Sequence, residues 1–246
     1  MSIGFIGCGN MATAIIKGII KSKTVEENEI NVFDVYAPVV SSSDAVILAV
    51  KPNVLPQVLN KINTTLEESD TLLISIAAGK STEFIRGALS HNNRIIRVMP
   101  NINATVGEAM CAYTANADAT EEDKQTAEAI FSGVGKVMYL DENYFPLFGV
   151  IGGCGPAFAY MFIDAMARAG VKNGMKKDTA LMVAAQTVLG SAKMILDSSE
   201  HPWELIDKVC SPGGTTIEAV TSLQADGFES AIHNAIDKAV DKDSKL

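Results

Sequence analysis

Cysteine is scarce and scattered. The four thiols, Cys8, Cys111, Cys154 and Cys210, form no CxxC pair. That excludes a disulfide-stapled scaffold and a zinc knuckle built on paired cysteines, and it favours reduced thiols in a cytoplasmic protein. The N-terminus shows no signal-peptide pattern. Histidine is scarcer still. His91, His201 and His233 lack metal-ligand spacing, so each is read as a surface or loop residue and no metal is expected. Positive charge is also short, with 20 Lys and Arg against 29 Asp and Glu and a formal net charge of −9. No basic stripe is left for nucleic acid or an anionic membrane. A phosphate-bearing ligand stays open, because backbone N–H groups bind phosphate without basic side chains. One long stretch, 144–163, lacks charge altogether. It is interrupted by Pro146, Gly149, Gly152, Gly153, Gly155 and Pro156, which weaken both helix propensity and apolarity. A helix buried in protein is therefore expected there rather than a membrane span.

What is present is an alternation. Apolar strand-like runs occupy Ser2–Ile6, Ile30–Phe33, Ala45–Val50, Thr71–Ile76, Arg94–Met99, Ala109–Thr114 and Lys136–Leu140. Between them, Met11, Ala14, Ile15, Gly18 and Ile19 recur at helical spacing, as do Val54, Leu55, Val58, Leu59 and Ile62. Ser81 stands where a cap would start a short helix, and Thr120–Asp123 reads as a capping box. This order predicts an α/β fold with a doubly wound, mainly parallel Rossmann-type sheet over residues 1–142. Residues 143–246 change character and predict helices only, at about Phe145–Ala169, Asp178–Leu196, Pro202–Val209, Thr216–Ala225 and Phe228–Lys242. Gly170 and Gly227 are placed to end helices. The Asp178–Leu196 helix is apolar on most sides, which implies burial among other helices. An all-α C-terminal domain of this kind suits pairing with a second copy, so a homodimer is expected, with room for a higher assembly of dimers.

One crossover is too short. Only about ten residues, VYAPVVSSSD, separate the strand ending near Asp34 from the strand at Ala45, where a parallel crossover needs roughly a dozen or more. Tyr36–Pro38 reads as a turn and Ser41–Ser43 as loop. Either this unit lacks a helix and a strand or residues are absent there. The exposed strand edge that a loss would leave favours absence.

The chemistry-bearing motif of the first half is Gly7-Cys8-Gly9-Asn10-Met11-Ala12, directly after a strand and before a helix. Gly7 permits the tight turn, Gly9 lets a pyrophosphate approach the backbone, and Ala12 takes the close-packing position. The helix N–H groups then face the phosphates. Cys8 fills a variable position. Asp34, at the end of the second strand, is placed to bind a ribose 2′-hydroxyl, which would favour NAD over NADP. Lys51-Pro52, Ala77-Ala78-Gly79 and Pro100-Asn101 each follow a strand, where open parallel sheets bind ligands. In the second half, Ser211-Pro212-Gly213-Gly214-Thr215-Thr216 precedes a helix. Its glycines expose successive N–H groups, an anion nest that would suit a small carboxylate, with two hydroxyls beside it.

These segments together resemble the pyrroline-5-carboxylate reductase family. The resemblance rests on IGFIGCGNMA (3–12), LAVKP (48–52), SIAAG (75–79), RVMPN (97–101), GCGPAF (153–158), AAQTVLGSAK (184–193), HPWEL (201–205) and SPGGTT (211–216). It implies reduction of 1-pyrroline-5-carboxylate to L-proline by NADPH or NADH, in a helical-domain dimer. It assigns the dinucleotide to Ile6, Gly7, Cys8, Gly9, Asn10 and Met11, to Ala49, Val50, Lys51 and Pro52, and to Ile76, Ala77 and Ala78. It assigns the substrate to Ser211, Gly213, Gly214, Thr215 and Thr216, with the Thr216 hydroxyl near the imine nitrogen as the catalytic group. The chain departs from the family in its short 34–43 region and in Gly152 and Cys154, where many members have Ser. Two other readings share the fold. A β-hydroxyacid dehydrogenase would need a lysine on the first long C-terminal helix, and Gly153–Met166 has none. A dinucleotide sensor without catalysis would not need the SPGGTT nest.

Overall fold

The computed structural model describes residues 1–32 and 36–243. It divides into two compact units, Met1–Gly153 and Cys154–Lys245.

The first unit runs β1 (Ile3–Ile6), α1 (Asn10–Ser22), β2 (Ile30–Val32), α2 (Tyr36–Ser41), β3 (Ala45–Leu48), α3 (Leu55–Glu67), β4 (Leu72–Ser75), α4 (Thr82–Gly87), β5 (Ile95–Met99), β6 (Ala109–Ala115), α5 (Glu121–Ser132), β7 (Gly135–Tyr139) and α6 (Phe145–Phe148). The seven strands form one sheet in the order β2-β1-β3-β4-β5-β6-β7. Every pair is parallel except β5–β6. β1, β3 and β4 are buried at every position, as continuous apolar runs covered on both faces must be. Alternate residues feed opposite cores. Phe5 and Ile47 join Ile15, Ile19 and Phe131 on one face. Ile6 and Leu48 join Val39, Leu59, Ile62 and Ile85 on the other. The predicted caps form: Ser81 Oγ accepts from the Phe84 N–H, and Thr120 and Asp123 make a reciprocal capping box.

The short crossover is resolved differently from the expectation. Tyr36–Ser41 is a helix, not a turn and loop. Pro38 falls in its first turn, where a missing N–H breaks no helical bond. Val39 and Val40 are fully buried, which seats this short helix on the sheet. The exposed edge is real and belongs to β2, of which three residues are described. Asp34 lies outside the described residues.

The predicted helix over Phe145–Ala169 is interrupted by a π-helix at Gly149–Cys154, still within the first unit up to Gly153. Gly152 and Gly153 weaken the α-helix there, and Pro156 brings no N–H.

The second unit holds α7 (Gly155–Lys172), α8 (Lys177–Asp197), α9 (Pro202–Val209), α10 (Thr215–Ala225) and α11 (Phe228–Asp243). Gly170 does not end α7. It lies inside the helix, where a Cβ would sit 3.2 Å from that of Ala180, so it serves close packing with α8. Gly227, at φ +76°, does follow the end of α10. The expected burial of α8 is absent within the chain: only Ala180 and Ala184 are buried, while Met182, Leu189 and Leu196 are each about 60% exposed or more. By length and composition, Glu142–Lys172 and Lys177–Asp197 would reach across a bilayer.

Candidate functional site

Parallel pairing brings three of the predicted segments to one edge of the first unit. Ile6 pairs with Leu48 and Leu48 with Ser75, so the chain leaves β1, β3 and β4 at the same level. Ile6–Met11, Ala49–Pro52 and Ile76–Ala78 follow directly. The Ala49 N–H donates to the Ile6 carbonyl at 2.9 Å and the Ile76 N–H to the Leu48 carbonyl at 3.2 Å, which extends the ladder into the loops.

The glycine turn has the geometry the dinucleotide requires. Gly7 sits at φ +101°, and a Cβ there would be 2.5 Å from the Ala49 carbonyl oxygen. No other residue fits. Around Gly9 the opposite holds: a Cβ would meet nothing within 4 Å. That open space is where a bulky anion can reach the backbone. Gly9 is also the N-cap of α1, with no side chain bonded there and no acidic residue in the first turn. The free N–H groups and the positive end of the helix dipole therefore face outward together. Ala12, 1% exposed, lets α1 lie close on the sheet. Cys8 is an exposed thiol in this turn, and Lys51 is an exposed side chain at the end of β3.

The second unit builds the other predicted segment. The Gly214 N–H donates to the Ser211 carbonyl at 3.0 Å, closing a four-residue turn. Pro212 and Gly213 occupy its centre, with Gly213 at φ +66°. Proline followed by a positive-φ glycine is the signature of a type II turn. Gly214 is then the N-cap of α10, again without a side-chain cap. Thr215 is exposed and Thr216 partly so, and the Thr216 hydroxyl has no partner among the described residues. Just upstream, His201 Nδ1 accepts from the Trp203 N–H while Glu204 accepts from the His201 N–H. That histidine caps α9. Among the described residues no group of His, Cys, Asp and Glu could hold a metal ion.

Sequence reasoning missed the work done by RVMPN beyond lining a strand end. Arg97 is buried, its guanidinium 3.0 Å from Glu142 and stacked 4.5 Å from the Phe145 ring. Asn101 donates to the Gly152 carbonyl at 2.9 Å. A buried arginine inside an apolar strand, IIRVM, was the available signal.

A doubly wound sheet with an uncapped glycine turn, joined to an all-helical unit, defines a dinucleotide-dependent oxidoreductase. Two family models match parts of the chain. Residues 2–79 match the model described as NADP oxidoreductase coenzyme F420-dependent, and residues 142–246 match pyrroline-5-carboxylate reductase dimerisation. Pyrroline-5-carboxylate reductase of Escherichia coli K12 is 41% identical, covering 99% of this chain and 97% of its own. The soybean enzyme, Glycine max, is 36% identical over 100% and 96%. The solved structure of the Plasmodium falciparum enzyme with NADP bound superposes with a TM-score of 0.89 at 30% identity, covering 99% of this chain and 97% of that one. The chain belongs to the pyrroline-5-carboxylate reductase family, NAD(P)H-dependent oxidoreductases of the last step of proline biosynthesis. The alignment with the E. coli relative spans 264 positions, more than the 246 residues here, so that relative carries residues this chain lacks.

Proposed function

We propose that this chain reduces 1-pyrroline-5-carboxylate to L-proline, with the dinucleotide held by residues 6–11, 49–52 and 76–78 and the substrate by 211–216. When bound, the reduced nicotinamide supplies a hydride. The imine carbon receives it, and the ring nitrogen takes a proton from water. The α1 N-terminus and the Gly9 backbone bind the pyrophosphate. The Ser211–Gly214 turn and the α10 N-terminus bind the substrate carboxylate through N–H groups. Thr216 donates or accepts at the ring nitrogen and holds the imine in orientation. No residue of the chain needs to act as acid, since the nitrogen is basic once reduced.

The observation that carries this reading is the 211–214 turn: an uncapped, glycine-built helix start with a free hydroxyl two residues on. A dinucleotide sensor has no use for it. The decisive assay follows NADH and NADPH oxidation with pyrroline-5-carboxylate, then with a β-keto acid. Turnover is expected with the first substrate alone, and activity with the keto acid instead would replace this reading. In Thr216→Ala, turnover should fall about 10²-fold with dinucleotide affinity unchanged. Unaltered turnover in that variant removes Thr216 from the site.

We further propose that residues 143–246 act as the substrate-binding and dimerisation domain. The apolar faces of α7 and α8 are covered by a second copy rather than by lipid, and dimers are free to assemble further. The acidic surface supports a cytoplasmic enzyme with no nucleic-acid partner.

A further inference from the structure

The glycine turn follows β1, whose neighbours in the sheet are β2 on one side and β3 on the other. That is the switch point of a doubly wound sheet, where a ligand lies in the crevice outside the strand ends. One half of a dinucleotide held at Gly9 runs along the exits of β3 and β4, past residues 76–78. The other half is left the side of β2, walled by Tyr36 at the start of α2 and by Val50 and Val54 after β3. A Cβ on Gly7 would lie 3.0 Å from Val50 Cγ1, so this wall adjoins the pyrophosphate turn. Tyr36, Val50 and Val54 each pack on the core beneath and each keep part of their surface exposed. A half-exposed apolar floor with an aromatic ring suits the flat face of adenine.

A cation stands at this floor. α2 packs against α3, and Lys61 Nζ on α3 lies 5.3 Å from the centre of the Tyr36 ring. Among the described residues this ammonium has no carboxylate partner. Its neighbours one turn away on α3, Gln57, Val58, Thr64 and Thr65, are uncharged, and α2 carries no charge at all. The chain has 29 acidic residues against 20 basic ones, yet an aromatic face holds this lysine instead of a carboxylate. An exposed cation–π contact is weak, so it orients the ammonium and leaves the N–H donors free for an anion.

We propose that Lys61 binds the 2′-phosphate of the adenosine ribose, with Tyr36, Val50 and Val54 beneath the adenine, and that it makes this chain select NADPH over NADH. A cation near the ribose is what a 2′-phosphate requires. α2 has none to offer, and α3 beside it supplies one. The selection runs opposite to the preference for NAD that Asp34 suggested from sequence. The inference rests on the reading of the glycine turn as a dinucleotide site.

The two reduced dinucleotides differ only in that phosphate, so the ratio of their Kd values isolates it. The full chain is titrated with NADPH and with NADH, following cofactor fluorescence at low and raised salt. The parent should bind NADPH about tenfold or more tightly. Lys61→Met keeps an apolar stem and removes the charge. Its Kd for NADPH should rise about tenfold, with that for NADH within about twofold, and the salt dependence for NADPH should flatten towards that for NADH. Lys61→Arg should keep most of the selection. Tyr36→Leu should weaken both dinucleotides, since adenine is common to them. Lys136→Met, on β7 at the opposite margin of the sheet, removes the same charge and should leave the ratio unchanged. A parent that binds NADH as tightly as NADPH overturns the proposal. So does an equal loss for both dinucleotides in Lys61→Met, or a fall in the ratio as large in Lys136→Met, which marks net charge alone. An unmoved Kd for NADH in Tyr36→Leu overturns the adenine floor. Binding of neither dinucleotide overturns the site altogether. The titration needs no substrate, so a chain that shows these ratios without turning over pyrroline-5-carboxylate overturns the reductase reading and supports this one.

Discussion

The two units use apolar side chains in opposite ways. In the first, Phe5, Ile15, Ile47, Leu59 and Phe131 are fully buried by the chain's own helices. In the second, α8 carries a comparable share of Met, Leu, Ile and Val and hides almost none of it. Contiguous exposed apolar surface of that size marks an interaction site, and residues 142–246 match a dimerisation model. The first unit is a complete fold, while the second is completed by association. The two uncapped glycine segments divide along the same line: the 7–9 turn lies on the unit that buries its own core, and the 211–214 turn on the unit that does not.

The comparison is broken most forcefully by charging the bare face. Met182 and Leu189 are seven residues apart on one side of α8. Met182→Glu with Leu189→Glu would bury charges in the interface proposed for α8, a cost of about 5 kcal/mol or more. Sedimentation should show a monomer. A variant that still sediments with the parent would remove α8 from the interface. Next in size is Gly7→Ala in the self-sufficient unit, where a positive φ and the Ala49 carbonyl together cost about 3 kcal/mol, read as a lower urea midpoint. Its neighbour sharpens the point. Gly9→Ala meets nothing, so stability should hold within about 0.5 kcal/mol while NADPH affinity falls about tenfold in a binding titration. In the second unit, Gly213→Ala forces a left-handed alanine at a cost of about 1 kcal/mol, and the KM for substrate should rise with that for NADPH unchanged.

The smallest effect is acid sensitivity at the start of β1. The Ser2 N–H and hydroxyl bond Asp44 at 2.7 and 3.1 Å and hold its carboxyl below the usual carboxylate range. A depressed folded-state value means the stabilisation is complete above the unfolded pKa, about 4, and is lost as the pH falls through the lower folded value. Asp44→Asn should therefore lose stability less steeply than the parent below about pH 4. Identical slopes would show that the bond contributes nothing. Cys111, buried and pushed up to about 12, stays a thiol throughout and plays no part in this.

Much of this was legible because β1, β3 and β4 are continuous apolar runs and because caps at Ser81 and Thr120 announce themselves locally. Tyr36–Ser41 was not, since Pro and serines carry turn chemistry equally well, and only the burial of Val39 and Val40 decides for helix. The break at Gly149–Cys154 was hidden because glycine inside an apolar period lowers helix propensity without showing how the backbone responds. What covers α8 was not legible for a deeper reason. A helix apolar on most sides records that it is covered, and not which molecule covers it. In the site, both glycine segments could be read from φ requirements alone, whereas the grip of Arg97 and Asn101 joins residues some 45 to 51 positions apart and needed the fold.

The place of β2 has an evolutionary consequence. Its three residues pair only with β1, and Val32 is 41% exposed. Adding or deleting chain beyond it alters a margin of the sheet and leaves both cores intact. A change of length at this rim would therefore be tolerated without refolding either core.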